Sequence, residues 1–229
     1  MVRYIMILAF GCSVTHGAET VYPYTHEENI PFSYPGVIAQ KLNINCENWA
    51  FCGNSNENIF HTALDVIPKY EKITAVIVGW TSTIRETWKC EDRYWQIIPS
   101  WCYTNSDLLT PILFLKDPKV NGPNDPRICS DKEEYMPVLE NLYNILMRYK
   151  FDHNEYIKKR NNYILALRTY CKSYNINLIE TYWSDLVPGV SIDLSKIGFW
   201  VDKNNHPIRH PNKEEHEMIA KIIIGHYKL

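Results

Sequence analysis

The strongest constraint on this chain is a pair of short, nearly unbroken apolar runs, residues 3–10 and 73–78, each closed by a glycine, Gly11 and Gly79. Runs this short do not make buried helices, and they lack the alternation of a strand with one wet face. They predict central strands covered on both sides, as in a parallel sheet, with Gly79 ending the third strand. Parallel strands need crossover helices, and the flanking segments supply them. Residues 34–42 predict a short helix and 44–50 a second strand. Residues 54–70 place Ile59, Ala63, Val66, Ile67 and Tyr70 on one helical face. Two further helices are predicted, at 132–149 (Tyr135, Leu139, Leu142, Ile145, Leu146, Tyr149) and at 154–174 (Tyr156, Tyr163, Ile164, Leu167, Cys171, Tyr174). A fourth strand follows at 176–182, then a closing helix at 212–226 with Met218, Ile219, Ile222 and Ile223 inward. The alternation predicts an α/β fold, a doubly wound and mostly parallel sheet in a single domain over 1–229.

Residues 80–126 differ in character. They carry Trp80, Trp88, Trp95, Trp101 and many prolines with no sustained period, so 84–131 is read as an aromatic-rich insertion after the third strand. Its tryptophans have two readings: anchors under a long loop, the default for large aromatics, or stacking surfaces for sugars, with Trp80 among the substrate-contact candidates. A 45% hydrophobic content suffices for a sizeable core without disulfides or metals. The cysteines (Cys12, Cys46, Cys52, Cys90, Cys102, Cys129, Cys171) show no CxxC pairing and predict reduced thiols, with Cys90–Cys102 left open as a pair.

A net charge of −2 gives no reason to expect a nucleic acid, and Lys158-Lys159-Arg160 is read as a solvated helix face. No stretch is long and apolar enough to span a bilayer. Residues 1–12 end in Cys12 as a lipoprotein leader would. Their apolar run is short, however, and Phe10 is bulky for a cleavage site, so the expectation is a buried strand in a cytoplasmic protein. No His/Cys cluster has zinc spacing and no glycine-rich phosphate loop appears, so neither metal nor cofactor is expected.

Strand ends on a doubly wound sheet converge at its carboxyl edge, where such folds place their sites. There stand Gly11-Cys12-Ser13-Val14-Thr15-His16-Gly17 after the first strand, Gly53-Asn54-Ser55-Asn56 after the second, and Gly79-Trp80-Thr81-Ser82 after the third. His210-Pro211-Asn212 precedes the last helix. A serine at a strand-to-helix turn exposes a hydroxyl beside a backbone N–H, aimed where an oxyanion would form. A glycine at the next strand end lets a second N–H approach, and a loop histidine can take the hydroxyl proton.

These residues resemble the blocks of the SGNH (GDSL-like) serine hydrolases. Gly11-Cys12-Ser13 with Gly17 resembles the first block, Cys12 standing where the family usually has Asp. Gly53 resembles the glycine of the second, and Gly79-Trp80-Thr81 stands where the third has Gly-x-Asn. His210-Pro211-Asn212, with Ile219-Ala220 beyond, resembles the last. The likeness spans the chain except for the insertion, and this variant looks most like small phage-encoded SGNH-type proteins, acting in a host cytoplasm or a virion. It implies a flavodoxin-like three-layer fold and ester hydrolysis through an acyl-enzyme. Ser13 would attack and His210 would act as base. The N–H groups of Ser13 and Gly53, with Thr81 or an asparagine (Asn56 or Asn54), would hold the oxyanion. The substrate class it suggests is an O-acyl, most simply O-acetyl, carbohydrate, or else another small acyl ester or thioester. The alternative from a different class is a non-catalytic binding or virion module.

Two positions depart from the family pattern. Thr81 replaces the usual oxyanion asparagine, and Pro207 stands where the family has its acid, three residues before the histidine. Asp202 is the nearest replacement; otherwise a backbone carbonyl orients His210 and the pair works as a dyad. His206, also followed by proline, is the rival base, but His210 borders the closing helix at the family's spacing. His16 and His216 are read as surface or supporting residues. Arg85 suits either a substrate carboxylate or a structural salt bridge.

Overall fold

A computed structural model describes residues 6–18, 20, 26–51, 53–83, 85–90, 93–97, 112–114, 152–183, 187–190, 192–197 and 210–229. The apolar runs form strands. β1 (Met6–Phe10), β2 (Asn45–Asn48), β3 (Ile73–Trp80), β7 (Leu178–Tyr182) and β8 (Ile192–Asp193) make one sheet in the order β2-β1-β3-β7-β8, and every pairing is parallel.

Alternate residues of these strands feed two cores, because side chains in a strand point to opposite faces. On one face Leu8, Phe10, Val76, Val78 and Trp80 pack with Ile59, Phe60, Ala63 and Val66 of α4 (Asn56–Val66). Ile164, Leu167 and Cys171 of α5 (His153–Ser173) complete that layer. On the other, Ile7, Ala9, Ala75, Ile77 and Ile179 pack with Val37 and Ile38 of α3 (Tyr34–Leu42), which follows the short α2 (His26–Asn29). Ile219, Ala220 and Ile223 of α6 (Lys213–Tyr227) join them. This is the doubly wound three-layer fold expected. The helices start where their caps dictate: Ser33, Ser55, Asp152 and Asn212 each accept a first-turn backbone N–H.

Several sequence expectations need correction. β3 does not stop at Gly79; Gly79 pairs with Thr181 and Trp80 with Tyr182. The inward stripe of α6 is His216, Ile219, Ala220 and Ile223, whereas Met218 (41%) and Ile222 (39%) are exposed. Tyr174, expected on the inner face of α5, follows its last turn and is exposed. The insertion contains regular structure: β4 (Glu86–Cys90), β5 (Arg93–Ile97) and β6 (Ile112–Phe114) form an antiparallel sheet that sets Trp88 opposite Trp95. The helix expected over 132–149 lies outside the described residues, and so does Cys102 of the Cys90–Cys102 pair. Among the described residues Cys12, Cys46 and Cys171 are free thiols, and no helix is long and apolar enough to cross a membrane.

Candidate active site

The sheet reverses direction of winding between β1 and β3, and Ser13 and Thr81 follow the ends of the two strands that flank this switch point. Beyond β1 the chain turns through Gly11 and Cys12 into α1 (Ser13–His16), a single helical turn closed by Gly17 at φ 82°. Ser13 opens that turn and is 7% exposed. Its carbonyl accepts the N–H groups of Gly17 (3.1 Å) and Ala18 (3.0 Å). Its own N–H and hydroxyl have no hydrogen-bond partner among the described residues.

Thr15 explains the glycines at both strand ends. A Cβ on Gly11 or on Gly79 would collide with the Thr15 side chain, which is wedged over β1 and β3. The Thr15 hydroxyl meets Tyr34 Oη at 3.0 Å, and Tyr34 Oη meets Thr181 Oγ1 at 3.2 Å. Burial pushes the Tyr34 phenol up to about 12, so this buried network stays neutral.

The segment after β2 is laced to the same place. Trp49 N–H donates to Ala9 O (2.7 Å), Phe51 N–H to Gly11 O (3.0 Å) and Asn54 Nδ2 also to Gly11 O (3.1 Å). These bonds carry Gly53, at φ 77°, alongside the end of β1. Asn56 is held differently. Its Oδ1 accepts Thr81 N–H (2.9 Å), and its Nδ2 donates to Thr81 O (3.0 Å) and Ser82 O (3.2 Å). The amide is therefore engaged by the backbone after β3. The Thr81 hydroxyl, by contrast, is buried with no hydrogen-bond partner among the described residues.

His210 lies half-buried just before α6. There Asn212 and Glu215 form a capping box, with Asn212 N–H on Glu215 Oε2 (2.8 Å) and Glu215 N–H on Asn212 Oδ1 (2.9 Å). No hydrogen bond joins Ser13 to His210 among the described residues; catalytic contacts of this kind commonly tighten only in the substrate complex. Asp202 and His206 lie outside the described residues.

His16 and His216, read from sequence as surface or supporting residues, are both buried. His216 stacks on Tyr34 (6.1 Å, 20°), and its Nδ1 accepts Tyr34 N–H (3.2 Å), so Nε2 carries the ring hydrogen. Burial holds its pKa down at about 3, with Glu215 opposing and nearby His210 reinforcing the shift. The clue in the sequence is its place in the 216/219/220/223 stripe, which the apolar Met218 and Ile222 obscure.

Trp80 is fully buried with its indole N–H on Glu180 Oε1 (2.8 Å), so its ring is a core anchor and not a surface for substrate. Trp183, the first residue after β7, escapes the sequence reading. Its indole N–H donates to Cys12 Sγ (3.0 Å), and the Arg85 guanidinium lies 5.3 Å from its ring centroid. The strand-end rule, applied to the fourth strand as well, would have found it.

No family model matches the chain, and no curated protein is similar to it. Among solved structures it is similar to a member of the lipolytic protein G-D-S-L family from Veillonella parvula (12% identity, 98% of each chain, TM-score 0.37). It is also similar to the psychrotrophic esterase EstA from a Pseudoalteromonas species (10% identity, 97% of this chain and 96% of that one, TM-score 0.47). A third is a family two carbohydrate esterase from Clostridium thermocellum (13% identity, 98% of this chain and 63% of that one, TM-score 0.37). The first carries the G-D-S-L name of the group that the sequence blocks resemble, and the other two are described as esterases. At such identities and TM-scores the likeness adds nothing to the case for an activity, which rests on the site itself.

Proposed function

We propose that this chain is a serine esterase of the SGNH type. The observation that carries the reading is Ser13 at the switch point, its hydroxyl and N–H uncommitted, on a carboxyl edge shared with Gly53 and the unpartnered Thr81 hydroxyl. A buried hydroxyl without a partner costs stability, and an oxyanion would give it one. In this reading Ser13 Oγ attacks the ester carbonyl while His210 takes its proton. The N–H groups of Ser13 and Gly53 and the Thr81 hydroxyl hold the oxyanion. His210 then protonates the leaving alcohol, and water, activated by the same histidine, releases the acid from acyl-Ser13.

Asp202 is the proposed third member. Asp202→Asn in a folded protein is expected to lower turnover severely, by about 10⁴ in the best-studied triad. A rate within a few-fold of wild type would assign the orientation of His210 to a backbone carbonyl. The proposed substrate is an O-acetylated carbohydrate. Acetate release from 4-nitrophenyl acetate and from an acetylated polysaccharide, compared with Ser13→Ala, tests the activity. Hydrolysis by wild type and background rates for the variant are expected. Saccharide binding with no acetate release would favour the binding module.

A further inference from the structure

Thr15 and Tyr34 tie together the parts of the fold that carry the Ser13 centre. Phe10 of β1 pairs with Val78 of β3, so Gly11 and Gly79 come side by side, and the Thr15 side chain fills the Cβ space of both. Ser13 lies two residues beyond the first glycine and Thr81 two residues beyond the second. The Thr15 side chain therefore fixes how the nucleophile turn stands against the strand that runs into Thr81. Asn48 Nδ2 anchors the same turn from the end of β2, donating to Thr15 O (2.8 Å).

The hydroxyls around Thr15 form a chain with one direction. Thr181 Oγ1 donates its single hydrogen to Val78 O (3.5 Å), so towards Tyr34 Oη (3.2 Å) it accepts. The phenol hydrogen is then engaged by Thr181, and Tyr34 Oη accepts from Thr15 Oγ1 (3.0 Å). All three side chains are buried, so no solvent competes for these bonds. The same tyrosine also reaches α6. Its N–H donates to His216 Nδ1 (3.2 Å) and its ring stacks on that imidazole, six residues beyond His210. One residue is thus bonded through Oη to the Ser13 turn and through its backbone to the helix that follows His210.

We propose that Tyr34 is a positioning residue for the Ser13 centre, its hydroxyl holding Thr15 and through it the placement of the Ser13 turn against Thr81. The inference rests on the serine esterase reading and adds to it a buried residue that touches no substrate.

Two variants of the full chain test it. Tyr34→Phe deletes Oη and keeps the ring on His216 and the backbone N–H. Thr15→Val keeps the volume between the strand ends and deletes the hydroxyl. Hydrolysis of 4-nitrophenyl acetate is measured with kcat expressed per site titrated by a fluorophosphonate, so that unfolded chains do not count. In either variant kcat per site is expected to fall about tenfold or more with KM little changed, as for a reacting group displaced by a fraction of an ångström. The double variant is expected to be no slower than the slower single one, because both changes remove the same link. Thr15→Ser, which restores the hydroxyl, is expected to recover most of what Thr15→Val loses, and this pair decides the matter if Tyr34→Phe does not fold. Wild-type kcat per site in both single variants, losses that multiply in the double variant, or a Thr15→Ser rate no better than Thr15→Val would overturn the positioning role alone. A wild type that neither labels nor hydrolyses the ester overturns the esterase reading and this one with it.

Discussion

Thr81 and Asn56 occupy the same strand end and answer to different demands. Thr81 contributes a buried hydroxyl that nothing described engages, and Asn56 contributes an amide fully occupied by the neighbouring backbone. Thr81→Val is therefore expected to slow turnover by about 10²–10³, as for loss of one oxyanion donor, while thermal stability stays level or rises. Asn56→Ala is expected to lower stability and rate together, because it frees the clamp. A Thr81→Val enzyme with wild-type kcat would remove Thr81 from the oxyanion hole. His216 carries a separate prediction. Its imidazole has an ordinary value of 6.5 and is held at about 3 in the fold. Between those values the unfolded chain binds the extra proton and the native state does not, so stability falls as pH drops below 6.5 and the loss levels off near 3. The substitution His216→Asn keeps an acceptor oxygen for Tyr34 N–H and removes the titrating ring. Stability of that variant should fall less across the same window in denaturant titrations. Ser13, Gly53 and Thr81 were legible as strand-end positions because glycines and apolar runs mark them. Thr15 was not, since its role appears only when two strand ends lie side by side.

At the scale of elements, the caps and the glycines set where the site residues sit. Asn212→Ala removes the side-chain half of the capping box, Glu215 N–H on Asn212 Oδ1, and is expected to cost about 1 kcal/mol, read as a lower denaturant midpoint, with the rate reduced because His210 adjoins the cap. Gly79→Ala puts a Cβ into Thr15 and near Tyr34 Oη, and should destabilise more than a surface change, since neither neighbour can move without breaking their shared hydrogen bond. The central strands were readable from unbroken apolar runs, which strands buried on both faces need, and α4 to α6 from helical spacing. The outer limits of that reading are also physical. Two exposed apolar residues on α6 mimicked a core stripe, and β4 to β6 escaped notice because short antiparallel strands need only local alternation. A glycine expected to end β3 instead sits within it, leaving space for Thr15.

Across the whole molecule, the five-stranded sheet serves to bring residues 12–13, 53–56, 81–83 and 183 to one edge from distant parts of the chain. Two cores, one on each face, support the sheet behind that edge, and Cys12, Cys46 and Cys171 are free thiols. In the proposed function this edge is a nucleophilic centre with Ser13 as the attacking group. The most direct measurement is intact-mass analysis of the native chain after treatment with a fluorophosphonate, followed by mapping of the modified peptide. One adduct per chain is expected, on Ser13, lost in Ser13→Ala and strongly slowed in His210→Ala. A folded wild-type chain that takes no adduct, or takes it at another residue, would contradict the assignment.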